Sequence, residues 1–182
     1  TVGIPRYTTT ANAPLTVTPD MIDEDDQVVT MTLSVPVSGD PPATVSMTNG
    51  SHARTILDDD LPPAFSFVAI PANGAEWVTT VNITITKTGN ATERSFVVTY
   101  ADFTSTAGTA TPVIDYIAIP TGTLTFMPAE FNQSFSFTVV EDMLNEPDTG
   151  DTVVIGITGV SNGGAIGLPN RHIYTIEDDD PL

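Results

Sequence analysis

Apolar residues alternate with Thr, Ser and Asn over short runs along this chain, the period-two pattern of half-buried strands, and they do not recur convincingly at helical spacing. In the run from Val81 to Thr86 the side chains of Val81, Ile83 and Ile85 fall on one face, and those of Asn82, Thr84 and Thr86 on the other. The pattern predicts strands at 64–70, 76–88, 94–103, 114–119, 122–127, 131–141, 152–160 and 172–177. Earlier runs predict strands near 4–10, 15–19, 28–37, 44–49 and 52–57. Pro, Gly and Asn punctuate them at the spacing of about 8 to 12 residues usual in sandwiches. The expected fold class is all-β.

Sliding the chain over itself exposes an internal repeat at an offset of about 120 residues. LTVTPDMIDEDD (Leu15 to Asp26) aligns with FTVVEDMLNEPD (Phe137 to Asp148), and HARTILDDD (His52 to Asp60) aligns with HIYTIEDDD (His172 to Asp180). Two matched blocks in the same order make 63–182 one complete repeat and 1–62 the C-terminal half of another. The expected boundary is Leu61-Pro62-Pro63, where the prolines stiffen the connection and deny it a helix.

The 23 Asp plus Glu against 5 Lys plus Arg give a net charge of −18. Such a field repels nucleic acid and anionic membranes and attracts cations. With no cysteine, disulfides and thiolate zinc sites are excluded, so any metal must be held by oxygen. No stretch is long and apolar enough for a membrane helix, and direct membrane insertion is not expected. A single lysine, abundant threonine and the acidic excess fit an extracellular or high-salt setting better than cytoplasm, and in a secreted or cell-surface protein the sequons at Asn49, Asn82, Asn90 and Asn132 would matter.

The second repeat resembles the Calx-beta family through GTA at Gly108 to Ala110, the pair Asp115-Tyr116, GTLTF at Gly122 to Phe126, the acidic turn EDMLNEPD, and the closing IEDDD at Ile176 to Asp180. The resemblance implies an immunoglobulin-like Greek-key β-sandwich of about seven strands with calcium sites at one end, preceded here by a partial copy of the same repeat. Carried over, it places Ca2+ ligands at Asp142 and Glu146 and at Asp178, Asp179 and Asp180. The first copy offers Asp20, Glu24, Asp58, Asp59 and Asp60 at the matching places. Where the family often carries an early Glu the chain has Pro71-Ala72-Asn73-Gly74, and Ala107 stands where calcium-binding members have Asp. A reduced ion site is the expectation.

Clustered carboxylates suit calcium, which takes six to eight hard oxygen ligands and tolerates irregular geometry. Two carboxylates about 4 Å apart repel by roughly 4 kcal/mol at an effective dielectric of 20, and a divalent cation turns that repulsion into cohesion. The alternative for the Asp runs is a solvated edge. No Gly-X-Ser-X-Gly elbow or Walker loop is present, His52 and His172 sit beside strands as structural residues, and Trp77 is expected in core or inter-sheet packing rather than as a sugar platform, so no enzyme is expected. The leading expectation is a non-catalytic calcium-binding repeat of an adhesin, matrix or filament protein, with neighbouring repeats or like subunits as partners. The alternatives are a fibre subunit completed by strand complementation into a homo-polymer, and a calcium-sensing regulatory domain.

Overall fold

Alternation of apolar and polar side chains produces strands only where a neighbour completes the backbone hydrogen bonds, and in this chain those neighbours are unevenly distributed. The computed structural model describes residues 2, 8–34, 44, 45, 48–68, 72–143, 145 and 150–180. The chain divides into two units, one of Thr1–Met21 and Asp26–Asp58 and the other of Ile22–Asp25 and Asp59–Leu182. In chain order the elements are β1 (Ile22–Asp23), β2 (Gln27–Thr32), β3 (Ser51–Ile56), β4 (Ala64–Phe67), β5 (Ala72–Ala75), β6 (Thr80–Thr88), β7 (Ala91–Thr92), β8 (Phe96–Asp102), α1 (Thr104–Ala107), β9 (Gly122–Phe126), β10 (Asn132–Thr138), β11 (Asp151–Val160), β12 (Ala165–Ile166) and β13 (Arg171–Glu177). No helix among the described residues is long and apolar enough to cross a membrane.

In the first unit β2 pairs antiparallel with β3, from Gln27 opposite Ile56 to Thr32 opposite Ser51. Both strands are largely exposed. The strand expected at 15–19 does not form: Leu15 and Val17 are exposed, and no strand among the described residues pairs with them. The one expected at 4–10 lies largely outside the described residues, and the described part of 44–49 is not strand.

The second unit is a sandwich. One sheet has the order β10-β6-β4-β12 and the other β5-β13-β11-β8-β9. If β4 and β5 are taken as halves of one strand divided between the sheets, and the two-residue β1, β7 and β12 are set aside, the strands are β4/β5, β6, β8, β9, β10, β11 and β13. That is the expected seven. Phe65, Phe67, Val81, Ile83 and Ile85 from one sheet close on Phe96, Val98, Phe126, Val153, Ile155 and Ile176 from the other. Each large core side chain removed from water stabilises by about 1.5–3 kcal/mol. Val81, Ile83 and Ile85 point inward as the alternation predicts.

The sequence motifs act as packing devices. Gly108 has no side chain because a Cβ there would lie 2.3 Å from the Thr152 carbonyl oxygen, and the backbone N–H groups of Thr109 and Ala110 donate to that carbonyl at 3.1 and 3.2 Å. A Cβ on Gly122 would collide with the Tyr100 hydroxyl at 2.3 Å. Tyr116 is fully buried and donates its hydroxyl to Asp102 Oδ2 at 2.7 Å, while the Asp115 carboxylate accepts the Thr111 N–H. Burial, with the Asp102 carboxylate beside it, pushes the Tyr116 hydroxyl up to about 12. This knot of contacts forms a loop where the alternation predicted a strand at 114–119, and only Tyr116 makes ladder-like bridges, to Pro112 and Val139.

Candidate metal centre

Strand direction decides which acidic residues meet. β5 runs parallel to β13, with Gly74 opposite Ile176 and Ala75 opposite Glu177, so both strands leave the sheet at the same end. The residue after β5 is Glu76, and the residues after β13 are Asp178, Asp179 and Asp180. β10 runs antiparallel to β6, with Thr138 opposite Thr80, so the chain leaving β10 arrives beside the chain entering β6. It carries Glu141 and Asp142 to that same end.

The result is a group formed by Glu76, Asp142 and Asp180, whose carboxylate oxygens lie within 4.8 Å of one another. Glu76 is buried, while Asp142 and Asp180 are half-buried. The Oδ2 atom of Asp180 is buried and has no hydrogen-bond partner. Asp178 stands alongside: its Oδ1 accepts the Asp180 N–H at 3.3 Å, and Asn145 donates its amide to Asp178 Oδ2 and to the Asp180 carbonyl, both at 3.3 Å. Burial and the neighbouring charges of Asp178, Asp179 and Asp142 raise the Asp180 carboxyl above its ordinary range. Glu141 is raised by desolvation and by Asp179, Asp180 and Asp142. Buried Asp115 is raised first by desolvation and then by Asp151 and Asp142, against the lowering effect of the Thr111 N–H. An unpartnered buried oxygen among acidic groups that resist ionisation is the donor set a hard divalent cation satisfies.

Of the residues the family resemblance singled out, the structure brings Asp142 and Asp180 together, keeps Asp178 hydrogen-bonded to Asp180, and leaves Asp179 exposed beside them. Glu146 lies outside the described residues. Among the described residues, Asp20, Glu24, Asp58, Asp59 and Asp60 enter no group of three candidate ligands. Asp58 instead donates its backbone N–H to Asp26 Oδ1 at 3.0 Å.

Glu76 was missed. Pro71-Ala72-Asn73-Gly74 reads as a lost carboxylate, yet β5 runs on through Ala75 and presents Glu76 where it ends. The signal was the acidic residue following the Ala72–Ala75 segment, obscured because 76–88 reads as one strand. The same misreading placed Trp77 in core or inter-sheet packing. β6 starts at Thr80, so Trp77 belongs to the turn before it and is 66% exposed. Ala107, expected from the resemblance to replace an Asp, is exposed at the end of α1 and has no carboxylate to offer.

Among solved structures, the apo-form Calx CBD1 domain is similar at TM-score 0.58 and 22% identity, the match covering 65% of this chain and 98% of that one. The calcium binding domain CBD12 of CALX1.1 matches at 0.57 and 22% identity over 64% of this chain and 44% of its own length, so this chain spans less than half of that protein. The Calx CBD2 domain matches at 0.54 and 15% identity, over 64% of this chain and 86% of that one. These likenesses concern the fold. Comparison with curated protein sequences gives no match. The Calx-beta domain profile matches residues 58–180, well over half of the chain. The chain therefore belongs to the Calx-beta domain family.

Proposed function

We propose that this chain is a non-catalytic, calcium-binding structural module of a secreted or cell-surface adhesin, matrix or filament protein, in which the ion stiffens a tandem of repeats. Glu76, Asp142 and Asp180 would hold the ion, with Asp178 and Asp179 beside them. The observation that carries this reading is the buried Asp180 Oδ2, unpartnered within a group of three carboxylates less than 5 Å apart. Calcium supplies positive charge there and ties the ends of β5, β10 and β13 together. Kinship with calcium-binding structures adds to the reading, since one relative is described as a calcium binding domain. The first copy, 1–62, is read as the C-terminal half of a repeat.

Thermal unfolding with calcium, with magnesium and with a chelator tests the reading, because an ion bound only by the folded state raises the midpoint by mass action. A calcium-selective rise supports it. No shift at millimolar calcium reduces the acidic group to solvated charge.

A second reading has its own observation. The β2–β3 ladder is largely exposed, with Val28 64% exposed on it and Leu33 66% and Leu57 70% exposed just beyond its strands, apolar side chains and strand edges that a strand or sheet from a like subunit would cover. Analytical ultracentrifugation tests it: concentration-dependent dimers or filaments support completion between chains, and a strict monomer excludes it.

A further inference from the structure

Ile22–Asp25 comes from the acidic turn of the first copy yet packs as part of the second unit. β1 lies parallel on β7, with Ile22 opposite Ala91 and Asp23 opposite Thr92. A two-residue ladder contributes little by itself, so the side chains decide. Asp23 is fully buried. Its Oδ1 accepts from Arg94 Nη2, and its Oδ2 accepts from Arg94 Nε at 3.2 Å and from Thr92 Oγ1 at 2.7 Å. Its carbonyl accepts the Glu93 N–H at 3.1 Å. Thr92 Oγ1 accepts the Arg94 N–H at 3.0 Å, which fixes the guanidinium's base, and Arg94 Nη1 lies 3.6 Å from exposed Asp25.

This is a forked donor set closed around one carboxylate, the geometry in which arginine outperforms any neutral donor. In the repeat alignment Asp23 matches Asn145, whose amide donates into the carboxylate-rich end of its own domain. The two copies differ at this position as their surroundings require: an acceptor-only side chain meets arginine, and a donor meets aspartates.

We propose that Thr92, Arg94 and the β7 edge form an aspartate-reading socket for the acidic turn of the first copy, and that Ile22–Asp23 is the plug that fills it. The ligand it fits is an extended segment with an aliphatic residue followed by Asp. An Asn at the second place keeps the shape and loses the charge-assisted bonds. The inference rests on the repeat and this geometry, and not on cation binding.

Amide hydrogen exchange by NMR on the full chain in chelator tests it, with the Glu93 N–H as reporter. Asp23→Asn and Arg94→Gln should each speed exchange at Glu93 at least tenfold, leave the amides of β6 and β11 unchanged, and produce no further change when combined. Thr92→Val, which removes one donor, should act in the same direction more weakly and serves if a charge variant fails to fold. A peptide spanning residues 18–27, added to the Asp23→Ala chain, should slow Glu93 exchange, and the same peptide with Asn for Asp23 should not. Unchanged exchange in the single variants, additive effects in the double variant, or two peptides that behave alike would overturn the socket.

Discussion

At the scale of residues, crowded carboxylates and one buried imidazole set opposing pH dependences. Asp115, Glu141 and Asp180 keep their protons to a higher pH in the folded chain than the ordinary value near 4. Between those two values the native state binds more protons than the unfolded state, so stability falls as pH rises through the window and stays reduced above it. In chelator, acidification into that window should raise the melting midpoint, and saturating calcium should abolish the gain because the ion competes with protons. His172 acts the other way. Burial beside Phe67 lowers its pKa, and its Nε2 has no hydrogen-bond partner. Its contribution is complete above about 6.5 and is lost as pH falls toward the lowered folded value. His172→Phe should remove the loss of stability seen on acidifying below about 6.5, measured by urea unfolding at a series of pH values. At the proposed ion site, Glu76→Gln should raise the midpoint in chelator by relieving repulsion and remove most of the rise that calcium produces. Trp77, exposed beside Glu76 and the only tryptophan, provides the fluorescence signal for the calcium titration.

At the scale of elements, the regular middle of the domain was legible from alternation and the contacts between strand ends were not. β6, β8, β9, β10, β11 and β13 all fall inside their expected ranges or within a residue of them, since each has a neighbour on both sides or a strongly apolar inner face. The division of the first strand into β4 and β5 has no period-two signature, because Ala72–Ala75 is held by its parallel partner rather than by side-chain burial. Glu76 and Trp77 were misplaced for that reason. The carboxylates of Asp142 and Asp180 were legible because the two acidic blocks recur together, whereas the plug at Asp23 was hidden: nothing local distinguishes it from its acidic neighbours. The glycines of the family motifs give a direct check. Gly108→Ala drives a Cβ against the Thr152 carbonyl and should destabilise by about 1–3 kcal/mol in urea unfolding. Gly159→Ala, where a Cβ meets nothing within 4 Å, should cost much less.

At the scale of the whole molecule, a net charge of −18 repels itself, and simple salt screens that repulsion over a Debye length of about 8 Å at physiological strength. Sodium chloride should therefore raise the midpoint in chelator gradually, and calcium at matched ionic strength should raise it further. Equal effects would mean screening alone. The parallel pairing of β5 with β13 has a mechanical consequence. The first strand of the domain is pulled from its N-terminal end and the last from its C-terminal end, so tension along the chain slides two parallel strands past each other. The hydrogen bonds between them then carry the force together, in shear, instead of parting one by one, and a single-molecule stretching trace of this domain should show a high, sharp rupture peak.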